Sequence, residues 1–427
     1  MDKKTLVPPS TKRVIWNSFD THWVLGLFGT AVGAGILFLP INAGVYGIFP
    51  VLIMVILVLP MTYLAHRGLA RFVLSSKKIN DNITEVLDDN FGQTSGYIIN
   101  ILYFLAIYPI CLAYGVGITN TVNSFLVNQL HIIAIPRWLL AIILITAMMA
   151  VMVKGPHLML KITAWIVYPL IISLFICSIY LIPSWQLSAF DFHNLPSLST
   201  FALALLTTIP VLVFAFNHSP AISSFVVDVR TTYQVGLEEY KINSILFITS
   251  ILLTIFIMFF VISCVLSLSP QQLLVAREQN IPILSYFANI STNNAFLLYV
   301  APIVALTAIV SSFFGHYLGA FEGLNGIIYK QAKYLGKTPN TKYISYFSAW
   351  FIYISMIIVA ILNPSILGFI EDLGGPIIAA ILFLMPIYAI FKIPAMKKYS
   401  NIWVNCFIGI IGLITIFSLL YNLGKLF

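Results

Sequence analysis

Long apolar runs separated by short polar connections fill the chain, and the lengths of those runs decide the fold class. A bilayer core takes about 20 mostly apolar residues in a helix. Eleven segments are read as spans, approximately Trp23 to Gly44, Ile48 to Ala65, Tyr97 to Leu126, Trp138 to Val153, Ile162 to Ile182, Thr200 to Val227, Asn243 to Leu266, Ala295 to Ala320, Ile344 to Leu362, Ile366 to Phe391 and Ile402 to Tyr421. No segment alternates apolar and polar positions in the manner of a transmembrane barrel strand. The pattern predicts an all-α membrane protein with eleven transmembrane helices. The longest connections, Arg67 to Gly96 and Ser267 to Asn294, are too short to bury a core of their own. Within the second, Gln271 to Phe287 is expected to form short helices on the mouth of the bundle.

Composition removes the soluble alternative. Of 427 residues, 60% are hydrophobic and 8% charged, where a soluble domain carries roughly a quarter charged. The 22 Lys and Arg against 14 Asp and Glu give a net charge of +8, which in a soluble protein would suggest nucleic acid. Here position explains it, because cytoplasmic loops concentrate cations. With the N-terminus cytoplasmic, 19 of the 22 fall inside and only Arg137, Arg277 and Lys425 fall outside. The expected topology is therefore multi-pass in the plasma membrane, the inner membrane of a bacterium, with an extracytoplasmic C-terminus and no nucleic-acid partner. Residues 1–22 read as a cytoplasmic tail that lacks the apolar core of a signal peptide. Cys111, Cys177, Cys264 and Cys406 each sit in an apolar stretch without metal-ligand spacing. They read as packed or lipid-facing thiols.

Two spans carry interruptions that hydrocarbon does not tolerate unless they line a protein cavity. The first holds Gly29-Thr30-Ala31-Val32-Gly33-Ala34-Gly35, and the sixth holds Phe214-Ala215-Phe216-Asn217-His218-Ser219-Pro220. Each opens a set of five spans. Five is odd, so the two sets cross in opposite directions, as in transporters built from inverted repeats. The organisation read from this is a first repeat over 23–183, an extracellular loop over 184–198, a second repeat over 199–391, and a loop with the eleventh span over 392–427. Freed amides at a half-helix N-terminus suit a carboxylate and freed carbonyls suit a cation. Gly33, Ala34 and Gly35 offer such amides without a bulky side chain in the way, which fits an amino acid.

At these residues the chain resembles the hydroxy and aromatic amino acid permease family, within the amino acid, polyamine and organocation superfamily. The resemblance is carried by GTAVGAGILFLP (Gly29 to Pro40), HRGLARFVLSS (His66 to Ser76), FNHSPAISSF (Phe216 to Phe225), FFGHYLGAFEGLNG (Phe313 to Gly326) and EDLGGPIIAAILFLMPIYAI (Glu371 to Ile390). It implies a five-plus-five inverted repeat with broken first and sixth helices. The Asn217 to Pro220 block is closer to the serine and threonine branch than to the aromatic one. The function implied is import of a small hydroxylated L-amino acid by cation symport with alternating access; the alternatives are a proton-coupled permease for tryptophan or tyrosine, or an exchanger.

Carried onto this sequence, the resemblance places Thr30, Gly33, Ala34 and Gly35 against the substrate's carboxylate and amine, and Phe214, Phe216, Asn217, His218 and Ser219 against its side chain. Tyr108 and Tyr114 on the third span are further candidates. Ala308, Ser311 and Ser312 share one face of the eighth span. In sodium-coupled relatives this pattern, completed by carbonyls matching Gly29 and Val32, supplies the oxygen ligands that a hard cation requires. A serine at 311 leaves no fixed ammonium to stand in for the metal, so sodium is slightly favoured over protons. Proton carriage would fall to His218, His316, Glu322 or Glu371, since ionisable groups at membrane depth are functional candidates. No cofactor is expected, and the partners are an amino acid and the bilayer. The chain has no HExxH, GxSxG or close histidine pair, so enzyme chemistry has no motif to rest on. A channel would show filter loops or charge rings.

Overall fold

A computed structural model of the chain describes residues 15–153, 156–191, 195–291 and 294–424; most of the expected cytoplasmic tail, and Lys154 and Lys425, lie outside the described residues. These residues form helices and short turns, with no strand among them. The helices in order are α1 (Ser18–Ala31), α2 (Ala34–Ala43), α3 (Ile48–Leu74), α4 (Ile83–Phe91), α5 (Gln93–Ser124), α6 (Arg137–Val153), α7 (Pro156–Tyr180) and α8 (Leu198–Ala215). They continue with α9 (Ser219–Thr232), α10 (Glu238–Ser267), α11 (Pro270–Glu278), α12 (Ile283–Ile290), α13 (Ala295–Tyr334), α14 (Thr341–Leu362), α15 (Ile366–Lys392) and α16 (Ile402–Gly424).

Among the described residues nine helices are long and apolar enough to span a membrane, and ten if the bent pair α1 and α2 counts as one. The eleventh expected span corresponds to α6, which at 17 residues falls short of the usual length. Two helices run well past their expected ends. α3 continues beyond Ala65 to Leu74, and α13 reaches 40 residues.

Local chemistry sets the ends. Asn17 and Asp20 form a capping box at α1, as do Asn82 with Glu85 at α4 and Ser269 with Gln272 at α11, each satisfying amides that a helix start leaves free. Asn363 ends α14 in the left-handed region ahead of Pro364. α15 contains two π-type turns, Ile370–Gly374 and Ala380–Leu384.

The interior is built from α1, α2, α8, α9, α5 and α13. The stretches 27–44 and 208–220 are buried without interruption, and α5 lies along α13, where Ile107 and Phe104 close on Gly319 and Gly323. α14 buries only one stripe, Ser348, Ile352, Met356 and Ala360, spaced by four, and shows Trp350, Phe347 and Ile358 on its other faces. Such an apolar exterior is what lipid requires. Cys111, Cys177 and Cys264 are buried and Cys406 is exposed, all as free thiols. α11 and α12 are the short helices expected over Gln271 to Phe287.

Candidate functional site

The first interruption is a sharp bend. α1 and α2 meet at 52° across Val32 and Gly33. Gly33 caps α2 with extended backbone and no capping side chain, so the amides of Ala34 and Gly35 head α2 uncapped. The glycines are there for close approach. A Cβ on Gly33 would lie 2.5 Å from the Ser312 side chain and 2.8 Å from the Tyr114 hydroxyl, and one on Gly35 would lie 2.6 Å from Phe214. Gly29 faces α7 as closely, where a Cβ would collide with Val167.

The second interruption is bent less sharply, and α8 and α9 together form one 35-residue span. The Phe216 amide still reaches Leu212 O at 3.1 Å, and helical bonding fails from Asn217 to His218. The Asn217 amide falls back on Phe214 O at 3.2 Å, and the amides that follow need other acceptors. Asn217 Oδ1 accepts the Ser219 amide at 3.1 Å. His66 Nε2, from α3, accepts the His218 amide at 3.1 Å. His218 Nδ1 lies 3.1 Å from Phe216 O, and its ring stacks on His66 at 3.5 Å and 6°. Two buried atoms are left without a protein partner: Asn217 Nδ2 and His218 Nε2.

The two interruptions meet through Gly35 against Phe214 and Ala215, and α13 joins them from one side. Ser312 Oγ donates to Thr30 O at 2.5 Å. Its one proton is then used, so the Tyr114 hydroxyl 2.6 Å away is the donor to it. His316 Nδ1 lies 2.9 Å from Ser312 O, and its ring packs edge-on against Tyr114 at 5.3 Å. Thr30 Oγ1 returns to Gly26 O at 2.8 Å, and Pro220 closes on Gly319. Thr30, Gly33, Gly35, Phe214, Tyr114, Ser312 and His316 thus cluster where the sequence reading puts the pocket, and Phe216, Asn217, His218 and Ser219 form the adjoining break.

Other candidates sit elsewhere or do something narrower. Ser311 Oγ bonds Ala308 O at 3.1 Å, within its own helix. Tyr108 stacks on Phe104 at 4.7 Å and tilts against Phe351 of α14 at 5.5 Å. Glu322 accepts from Ser223 Oγ at 3.1 Å, and that hydroxyl accepts the Ile83 amide at the head of α4. Val32 is fully buried at the end of α1, its amide on Phe28 O at 2.9 Å.

Glu371 belongs to a closure on the face away from the N-terminus. Its carboxylate takes Arg277 of α11 at 2.7 Å and Asn42 of α2 at 2.6 Å. On the N-terminal face a second closure joins α1 to α10: Lys241 Nζ meets Asp20 at 2.5 Å and Ile15 O at 3.0 Å, while the Tyr233 hydroxyl donates to Asp20 at 2.6 Å. Burial first, and the hydrogen bond to Asp20 second, hold the Tyr233 phenol above its ordinary range. It therefore stays the donor.

A model of the tryptophan/tyrosine permease family matches residues 22–423. The chain belongs to that family. It is similar to the serine transporter SdaC of Escherichia coli (strain K12), 50% identical over 415 residues and 96% of each chain. It is also similar to the threonine/serine transporter TdcC of Edwardsiella piscicida, 43% identical over 437 residues, 98% of this chain and 99% of that one. Among solved structures, MhsT in complex with L-phenylalanine aligns with a TM-score of 0.57 at 13% identity, covering 95% of this chain and 98% of that one. That likeness shows the fold. The protein is a multi-pass membrane permease of this family, not an enzyme.

Within the permease, sequence reading missed His66, Asp20, Lys241 and Arg277. His66 stands one residue past the expected end of the second span and Lys241 two before the expected start of the seventh. Both fell in presumed loops because charged residues, Arg67 beside His66 and Glu238 and Glu239 just before Lys241, lower the local hydropathy. Burial of a charge or an imidazole near a helix end is the signal that would have found them.

Proposed function

We propose that the chain is a serine and threonine permease that couples uptake of a small hydroxylated L-amino acid to a cation by alternating access, in a bacterial inner membrane with the N-terminal face cytoplasmic. The carrying observation is the pair of unpartnered atoms at the second break. Asn217 Oδ1 is committed to the Ser219 amide, which leaves Nδ2 as a donor, and His218 Nδ1 is committed to Phe216 O, which leaves Nε2 as an acceptor. A hydroxyl is both donor and acceptor and complements the two. A buried polar atom without a partner costs about 1–3 kcal/mol, so a substrate that supplies one gains affinity. The close contacts at Gly33 and Gly35 favour a small side chain over an aromatic one. The two transporters named above, of serine and of threonine and serine, point the same way.

For the coupling ion, the sodium reading draws on Gly29, Val32, Ala308, Ser311 and Ser312. The Ser312 bond to Thr30 O supports it by tying α13 to the first break at these oxygens. A proton reading is favoured by a different observation: His218 and His316 are both buried beside the breaks, and the free Nε2 of His218 can take a proton as well as a hydroxyl hydrogen bond. In that reading Glu322 and Glu371 stand in the Ser223 contact and the Arg277 pair rather than between the breaks.

The test is uptake of radiolabelled L-serine into proteoliposomes under an imposed sodium or proton gradient, with L-threonine and L-tryptophan as competitors. Serine accumulation competed by threonine is the expected outcome; competition by tryptophan alone overturns the substrate. Asn217→Ala should reduce serine uptake roughly five- to tenfold more than alanine uptake, the size of one hydrogen bond in a buried site. Under sodium coupling, Ser311→Ala with Ser312→Ala abolishes accumulation and spares exchange. Accumulation driven by protons alone moves the role to the imidazoles.

A further inference from the structure

The second break frees the His218 amide, because Phe214 O, the acceptor it would have in a continuous helix, is taken by the Asn217 amide. His66 supplies the replacement, and its two partners fix its protonation. Thr62 O, 2.8 Å from Nδ1, can only accept, so Nδ1 carries the proton. The His218 amide can only donate, so Nε2, 3.1 Å away, carries the lone pair. The same reasoning at Phe216 O puts the His218 proton on Nδ1 and its lone pair on the unpartnered Nε2. The parallel stack at 3.5 Å holds the plane of the His218 ring. Both imidazoles are buried, and α3 contributes no other side-chain bond to the break among the described residues.

We propose that His66 is the positioning residue of the substrate-recognition break: by holding the His218 amide and the plane of its ring, it fixes the acceptor His218 Nε2, which together with the donor Asn217 Nδ2 distinguishes a hydroxylated amino acid from an apolar one. The inference rests on the serine and threonine reading and adds a residue from α3, outside both broken helices. His66 works on the substrate only through His218.

Two variants separate positioning from packing. His66→Asn places a donor where Nδ1 was, keeping the bond to Thr62 O, and loses the acceptor for the His218 amide. His66→Gln places its Oε1 near the position of Nε2, keeping that acceptor, and loses the bond to Thr62. The readouts are the KM for serine and the ratio of serine to alanine uptake in proteoliposomes. Both are independent of how much protein reaches the membrane. Serine-dependent thermal stabilisation of the purified protein reads the same affinity for a variant that no longer transports.

His66→Asn is expected to raise the serine KM roughly tenfold and to narrow the preference over alanine by a similar factor, as loss of one buried hydrogen bond would. His66→Gln is expected to stay within about threefold of wild type, since its acceptor is kept. A His66→Asn protein with wild-type KM and preference overturns the proposal. So does an equal loss in both variants, which would make His66 a packing residue. Wild-type protein that takes up no serine overturns the substrate reading first, and it is recognised before any variant is scored.

Discussion

The two faces of the permease are closed by different chemistry. On the N-terminal face, Asp20 and Lys241 meet with 0% and 2% of their side chains exposed; the carboxylate also accepts from the Tyr233 hydroxyl and the Asn17 amide, and the ammonium also donates to the Ile15 carbonyl. The Lys241 ammonium also lies 4.7 Å from the Tyr233 ring centre, within cation–π range. On the opposite face, Arg277 and Glu371 meet with 37% and 12% exposed. There water and salt compete for both charges. A desolvated pair has a steep cost for losing one partner, whereas a wetted pair is worth about 0–1 kcal/mol. The N-terminal face is therefore held by a dry, buried lock and the opposite face by a weak, wetted catch.

The largest effect tests the lock. Asp20→Ala strands the Lys241 ammonium in a dry site and should cost about 3–5 kcal/mol, read as a large fall in the melting temperature of the purified protein and in its amount in the membrane. Removing both charges with Asp20→Leu and Lys241→Met should recover most of that stability, because a well-packed apolar pair replaces a buried ionic one at little cost. The double variant should still leak serine faster in counterflow, with the N-terminal face no longer tied by charge. An Asp20→Ala protein as stable as wild type would break the comparison at its stronger end.

That lock was invisible in the sequence for a physical reason. Asp20 and Lys241 are 221 residues apart, and nothing local distinguishes a lysine that snorkels from one that turns inward. The spans themselves were legible because hydrocarbon forces long apolar runs and displaces cations to one side. The two breaks were legible because three glycines in seven residues and an Asn-His-Ser-Pro run have no place in an unbroken transmembrane helix. Ser311 and Ser312 show the limit. They are adjacent and identical, yet about 100° apart around the helix, so one bonds its own turn and the other crosses to the first break. Glu371 shows another, because its candidacy as a proton carrier rested on depth alone, and its depth could not reveal Arg277 or Asn42 beside it.

An intermediate effect sharpens the account of the lock. Tyr233→Phe keeps the ring under Lys241 and removes only the hydroxyl that donates to Asp20 and accepts from Asn17. The expected loss is about 1–2 kcal/mol, a hydrogen bond to a charged group. Chemical denaturation or thermal melting would read it, and the same variant should speed counterflow less than the double charge deletion does. A loss as large as that of Asp20→Ala would shift the weight of the closure from the ion pair to the phenol.

The smallest effect belongs to the catch. Arg277→Gln should destabilise by no more than about 1 kcal/mol, and the difference from wild type should shrink as salt rises from about 0.1 M toward 1 M, where the screening length falls from roughly 10 Å to 3 Å. Glu371→Gln removes the same ion pair and keeps an amide oxygen that can still accept from Asn42, so its cost should be smaller or equal. The informative readout is transport. If Glu371 only fastens the face opposite the N-terminus, Arg277→Gln and Glu371→Gln share one phenotype, a modest rise in the serine KM with gradient-driven accumulation intact. If Glu371 carries the coupling proton, the glutamine variant alone loses accumulation under a proton gradient while serine exchange survives. The position of its carboxylate, with one oxygen on Arg277 and the other on Asn42, favours the shared phenotype, since both oxygens are already engaged.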